Sequence, residues 1–215
     1  THPVDQLWVV LSFESSYSFT NRKYQAQMLS RLGFNWTMHF RQDSDVSIPY
    51  GVISQIEDPI HAMVNSRSDY WSRKDRDKLA AWMVSHCRTD SARESYVKEL
   101  KKHIRVDIYG GCGNLTCGTA QYQARKDQWK LKECTDVTNE YFFYLAFENS
   151  ICRDYVTEKF FRSLGQDVVP VVMGGADYAL IAPHHSYIDA LDFTSPKDLA
   201  DFLKNVASHP SLYNR

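Results

Sequence analysis

An α/β fold built on a parallel, Rossmann-like sheet is what this 215-residue sequence predicts, and three observations carry the prediction. Short apolar runs of strand length recur at residues 7–13 (LWVVLSF), 106–109, 142–147 and 168–173, rich in β-branched and aromatic residues. Segments with helical spacing separate them, and strands alternating with helices imply crossover connections and therefore parallel pairing. Polar or glycine residues close the runs, as Glu148-Asn149 and Gly110-Gly111 do. Ligands of open α/β sheets bind at that carboxyl edge.

Taken in order, residues 7–13 read as a buried strand, 24–32 as a short helix and 36–40 as a second strand. The charged stretch 72–78 (SRKDRDK) reads as a hinge or helix between domains, with a solvated helical face as the alternative. This divides the chain into 1–72 and 73–215. Residues 79–84 open the second α/β unit, and 91–103 follow as a helix with Ala92, Tyr96 and Leu100 along one side. Residues 110–140 form a polar, cysteine-bearing connection long enough to need a functional or disulfide explanation. Further on come a strand at 168–173, a short strand at 187–188 and a helix at 196–206, begun by Pro196 and capped by Ser195.

With 25 Lys and Arg against 26 Asp and Glu, the charges are balanced and interspersed. That leaves no electrostatic footprint for nucleic acid or an anionic membrane. No apolar stretch reaches bilayer-spanning length, and Thr1 does not begin a signal peptide. The five cysteines, at 87, 112, 117, 134 and 152, lack the paired spacing of a zinc site and read as structural disulfides. The sequons Asn35-Trp36-Thr37 and Asn114-Leu115-Thr116 agree with an oxidising, lumenal or secreted setting. Cys112, Cys117 and Cys134 are placed to staple the long connection. Cys87 and Cys152, at the ends of predicted neighbouring strands, are candidates to meet, and the connectivity stays open.

Residues 141–161 hold the densest chemistry. An apolar strand ends in Glu148 and Asn149; after a short loop, Asp154, Thr157 and Glu158 sit where a helix would begin, and Phe160, Phe161 and Leu164 follow at helical spacing. Backbone N–H groups at such a start attract phosphate, and Lys159 adds a mobile cation.

FENS followed by DYVTEKFF resembles the donor-binding signature of the α1,3-fucosyltransferases of glycosyltransferase family 10. Tyr109-Gly110-Gly111-Cys112-Gly113, the cysteine-bearing loop and Ser186-Tyr187-Ile188-Asp189 with Leu191-Asp192-Phe193 resemble the invertebrate and plant core enzymes in particular. The resemblance extends through Phe13-Glu14-Ser15, Asn35-Trp36-Thr37, Arg41-Gln42-Asp43-Ser44-Asp45, Pro49-Tyr50-Gly51, Val169-Pro170-Val171-Val172 and the segment from Phe193 to Leu199. It implies a GT-B fold, with 1–72 as the end of an acceptor-side α/β domain and 73–215 as a Rossmann-like GDP-fucose domain. It also implies inverting transfer of fucose from GDP-fucose. Glu14 carries over as the general base, although Ser16 stands where the family has proline. Lys159 would neutralise the departing diphosphate, Glu158 would hold ribose hydroxyls, and Asn149 and Tyr155 would touch the donor. Arg93 matches an arginine that clamps the diphosphate; from the residues alone it reads as a surface arginine paired with an acid. No cofactor is required, with a divalent cation such as Mn2+ as a stimulant. Arg41 beside Asp43 and Asp45 reads as a structural ion pair rather than a metal motif, and His184 and His185 read as surface turn residues.

The same resemblance implies a Golgi-lumenal enzyme held to the cisterna membrane by an amino-terminal anchor outside these residues, with closing helices also outside them. The implied acceptor is the innermost GlcNAc of N-glycans on glycoproteins. Lactosamine, in Lewis-type synthesis, is the alternative. A noncatalytic glycan- or nucleotide-binding relative, or an inactive truncated product, is the reading from a different class.

Overall fold

Residues 9–47 supply a three-stranded sheet and residues 80–189 a five-stranded one, and every strand pair in both is parallel. The computed structural model describes Pro3 and residues 5–15, 31–55, 69–117 and 132–215. In the first sheet β1 (Val9–Ser12) pairs with β2 (Trp36–His39), which pairs with β3 (Val46–Ser47). The predicted helix at 24–32 lies largely outside the described residues.

The second sheet comprises β4 (Ala80–Met83), β5 (Val106–Tyr109), β6 (Phe143–Phe147), β7 (Val169–Met173) and β8 (Ile188–Asp189), in the spatial order β5-β4-β6-β7-β8. Strands covered on both faces read as near-continuous apolar runs, as AAWM in β4 and FYLAF in β6 do. Helix α1 (Arg93–Leu100) carries the chain from β4 to β5, after which β6 returns to the opposite side of β4. The direction of winding therefore reverses between β4 and β6, and a crevice opens at such a switch point beyond the strands' carboxyl ends.

Helices α2 (Lys132–Asn139), α3 (Glu158–Leu164), α4 (Pro196–Ser208) and α5 (Pro210–Tyr213) complete the unit. In α4 the Ser195 hydroxyl accepts the Asp198 N–H at 3.2 Å and Pro196 occupies the first turn. Leu199, Leu203 and Val206 on its inner face join Trp82, Val97, Leu100, Phe143 and Phe147 in the core. Residues 72–78 do not form an extended helix, although Ser72, Arg73, Asp75, Arg76 and Asp77 are exposed. A short turn at Trp71–Arg73 is followed by Lys74, which is buried and donates to the Asn139 carbonyl at 2.8 Å, while Lys78 pairs with Glu140. Lys74 and Lys78 thus tie the segment to the end of α2, while Arg73 pairs with Asp167 and Arg76 lies over the Trp71 ring.

Two disulfides form, Cys87–Cys112 and Cys117–Cys134, and Cys152 is free. The expected meeting of Cys87 with Cys152 is thus corrected. Met83 and Tyr109 are register partners, so the loops after β4 and β5 leave the same edge side by side. The loop carrying Cys152 turns the other way, where Arg153 bridges to Gly175 beyond β7. Opening Cys87–Cys112, which spans 25 residues, by replacing both cysteines with serine is expected to cost about 3.5 kcal/mol, the loop-entropy value for a cross-link of this span. Denaturant melting checks it, and an unchanged midpoint would show that packing alone holds the two loops.

Candidate active site

The switch point is laced together by side chains from the loop after β4. Arg93 donates from Nη1 to the Phe147 carbonyl at 2.6 Å and from Nη2 to the His86 carbonyl at 3.1 Å, so its fork spans the ends of β6 and β4. Ser91 adds an Oγ bond to the Glu148 carbonyl at 2.7 Å and an N–H bond to the Asn149 carbonyl at 3.0 Å. The preceding Ala92 sits in the left-handed region at φ 53°, a strain that a non-glycine residue carries only where its surroundings impose it. Arg93 is 2% exposed, so the alternative of a surface arginine is corrected: it is interior, beneath the crevice, with Glu94 at 3.5 Å from Nε. Three buried polar atoms among the described residues lack a hydrogen-bond partner, namely Arg93 Nε, Asn149 Oδ1 and Tyr178 Oη. The first two flank the switch point itself.

Beyond β6 the chain turns through Asp154, at φ 60°, into α3. Glu148 is fully buried there. Its carboxylate accepts the Thr157 N–H at 2.8 Å, the Thr157 hydroxyl at 3.0 and 2.8 Å, and the Lys159 ammonium at 3.2 Å. Lys159 also donates to Thr157 Oγ1 at 2.8 Å and to Glu158 Oε1 at 3.3 Å, so its cation is held at the mouth by three oxygens. Burial pushes the Glu148 carboxyl up, against the pull of Lys159 and Thr157. For Glu158 burial acts in the same direction, but Lys159 and the hydrogen bonds at the helix start prevail and hold its carboxyl low.

Glu14 arrives from the first sheet. Its N–H donates to Ser12 Oγ at 3.2 Å, its carbonyl lies 3.2 Å from His39 Nε2, and the neighbouring Ser15 hydroxyl is buried 2.9 Å from that of Ser150. The backbone is therefore fixed on both sides, while the carboxylate is exposed and no bond to another described residue engages it. Tyr50 and Tyr155 pack edge to face at 6.3 Å, with Phe13 and Phe40 against them. Burial first, then the charges of Glu158 and Glu14, push the Tyr50 phenol up to about 12, and Tyr155 is raised by burial, then by Tyr50 and Glu148, with Glu14 and Glu158 contributing less. Tyr50 also donates to the Phe13 carbonyl beside Glu14, so the aromatic pair joins that strand end to the loop before α3. Gly51 lets this segment approach α3, since a Cβ there would stand 2.5 Å from the Phe161 ring.

Arg41 and Asp43 form a bidentate pair at 2.7 and 2.5 Å, and Asp45 instead accepts the Thr37 N–H and hydroxyl at 2.7 and 2.8 Å. The two aspartates hold separate turns, as expected of a structural pair. His184 and His185 are exposed. Sequence reasoning assigned no role to Glu148, Thr157, Ser91 or Tyr50. A charged residue directly continuing a fully apolar strand was the available signal for Glu148; Ser91 and Tyr50 emerge only from contacts distant in sequence, and Thr157 from its bonds to Glu148 and Lys159.

Two family models match the chain: "Glycosyltransferase family 10 (fucosyltransferase) C-term" over residues 73–215 and "Fucosyltransferase, N-terminal" over residues 1–51. Among curated relatives, "Alpha-(1,3)-fucosyltransferase C" of Drosophila melanogaster is 44% identical over 196 residues, covering 84% of this chain and 43% of its own length. "Glycoprotein 3-alpha-L-fucosyltransferase A" of the same fly is 42% identical over 190 residues, covering 84% of this chain and 34% of its own length. The chain therefore spans less than half of either relative. A solved structure, "Crystal Structure of alpha1,3-Fucosyltransferase with GDP-fucose", superposes with a TM-score of 0.63 at 16% identity, covering 99% of this chain and 66% of that one, a shared fold of GT-B type. On the match over residues 73–215, this chain belongs to glycosyltransferase family 10, the fucosyltransferases.

Proposed function

We propose that the protein transfers L-fucose from GDP-fucose to the innermost GlcNAc of N-glycans, in α1,3 linkage and with inversion, in the Golgi lumen. The observation that carries this reading is the seating of the strand end bearing Glu14 on the segment bearing Glu158 and Lys159, through Tyr50, which bonds the Phe13 carbonyl and packs on Tyr155, and through the Ser15–Ser150 contact. In the proposed reaction the Glu14 carboxylate takes the proton of the acceptor hydroxyl as its oxygen bonds to the anomeric carbon. The bond from that carbon to the β-phosphate oxygen breaks, and GDP leaves with the electron pair. Lys159 compensates the charge developing on the diphosphate. Arg93 adds its charge from below while its fork keeps the ends of β4 and β6 together. Glu158 takes ribose hydroxyls, and Asn149 and Tyr155 line the donor. The partners are then GDP-fucose and a glycoprotein N-glycan, and a divalent cation stimulates without being required.

The name of the Drosophila glycoprotein enzyme supports a glycoprotein acceptor, of which the N-glycan core is the site proposed. The test offers labelled GDP-fucose and the full-length protein two acceptors, an N-glycan with a bare chitobiose core and free lactosamine. Label on the core that resists an α1,6-specific fucosidase is expected. Label on lactosamine alone moves the protein to Lewis-type synthesis, and label on neither makes it a noncatalytic relative.

A further inference from the structure

Glu148 has no part in the chemistry just described, and its setting is uncommon for a carboxylate. It is 0% exposed at the end of β6, where an apolar or neutral residue would avoid the cost of burying a charge. Holding the turn into α3 requires only an acceptor for the Thr157 N–H, which a neutral amide or hydroxyl supplies. What a neutral group cannot supply is a counter-charge for Lys159, 3.2 Å away. The carboxylate also reaches Lys159 a second way, through the Thr157 hydroxyl that bonds both. Behind it the wall is closed: a Cβ on Gly174 would stand 2.4 Å from the Tyr178 hydroxyl and 3.6 Å from Glu148 Cγ.

We propose that Glu148 is a positioning residue for fucose transfer, aiming the Lys159 ammonium at the leaving diphosphate by direct ion pairing and through Thr157. The inference rests on the reading of Lys159 given above. It also fixes the sign of the effect. The Glu148 anion repels a bound diphosphate, so loss of its charge does not weaken GDP binding on electrostatic grounds. What disappears is the direction of Lys159, which counts most where charge develops on the departing oxygen.

Glu148→Gln in the full-length enzyme keeps an acceptor for the Thr157 N–H, removes the charge and replaces the oxygen that accepts from Lys159 by an amide donor. Its single-turnover rate of fucose transfer is expected to fall about ten- to a hundred-fold, while GDP affinity by titration calorimetry stays the same or tightens. Placed on Lys159→Ala, the same substitution is expected to change the rate by less than about two-fold, because its effect passes through the missing cation. GDP affinity that weakens together with the melting temperature would make Glu148 a structural prop and overturn the proposal. An unchanged rate, or an equal loss in both backgrounds, overturns it as well. If Lys159→Ala leaves both rate and GDP affinity intact, the reading of Lys159 itself fails. Thr157→Val removes the bridging hydroxyl without a change of charge and provides a second arm should Glu148→Gln not fold. Transfer about five-fold slower with GDP affinity held within about two-fold is expected, and an unaltered rate counts against the proposal.

Discussion

Glu14→Gln in the full-length enzyme is expected to lower turnover by roughly two to four orders of magnitude, the range for losing a general base, with GDP-fucose affinity within about two-fold. The geometry makes this a clean substitution. The amide is isosteric, and the backbone around residue 14 is held by Ser12, His39 and the Ser15–Ser150 contact rather than by the carboxylate. Since the carboxylate is exposed, its loss should leave the melting temperature unaltered. An ordinary surface glutamate would be silent in both assays, and retained turnover would exclude Glu14 as the base. The aromatic pair beside it gives a second reason to expect a functional role. Tyr50 bonds the Phe13 carbonyl beside Glu14 and packs on Tyr155, three residues before Glu158, so the aromatic pair joins the base's strand end to the donor segment.

Much of the second sheet was legible because buried parallel strands leave an unmixed apolar signal. Val106–Tyr109 appears with the same bounds in sequence and structure, and residues 142–147 and 168–173 each lose a single residue. Helix α2 was not legible. Its sequence, KECTDVTN, is poor in strong helix formers, and the helix is held by the Cys117–Cys134 bond and by contacts at its carboxyl end to Lys74. Lys74 and Lys78 misled for the same reason, since their partners Asn139 and Glu140 lie more than sixty residues away. The site divides along the same line. Asn149, Tyr155, Glu158 and Lys159 stand in one short segment and were read as a group. The burial of Arg93 under the switch point depends on carbonyls of His86 and Phe147, and the pairing of Cys87 depends on the register of β4 with β5. Neither is written in local spacing.

Lys159→Ala is expected to reduce GDP affinity roughly ten- to a hundred-fold, the loss of one charge-assisted bond worth about 1.5–3 kcal/mol. The residue also serves the fold, which complicates a simple reading of that loss. Removing it strands the Glu148 carboxylate, 0% exposed, without its counter-ion, and breaking a buried pair from one side costs on the order of 3–5 kcal/mol. Weak GDP binding by this variant could then reflect a loosened turn rather than a missing phosphate contact. Adding Glu148→Gln separates the two. The double variant no longer buries an unpaired charge, so its melting temperature should return most of the way to that of the parent. Its GDP affinity should remain low, because no cation has been restored at the mouth of the site. Recovery of both quantities together would mean that Lys159 only keeps Glu148 company and that the diphosphate is held elsewhere, with Arg93 the next cation to replace.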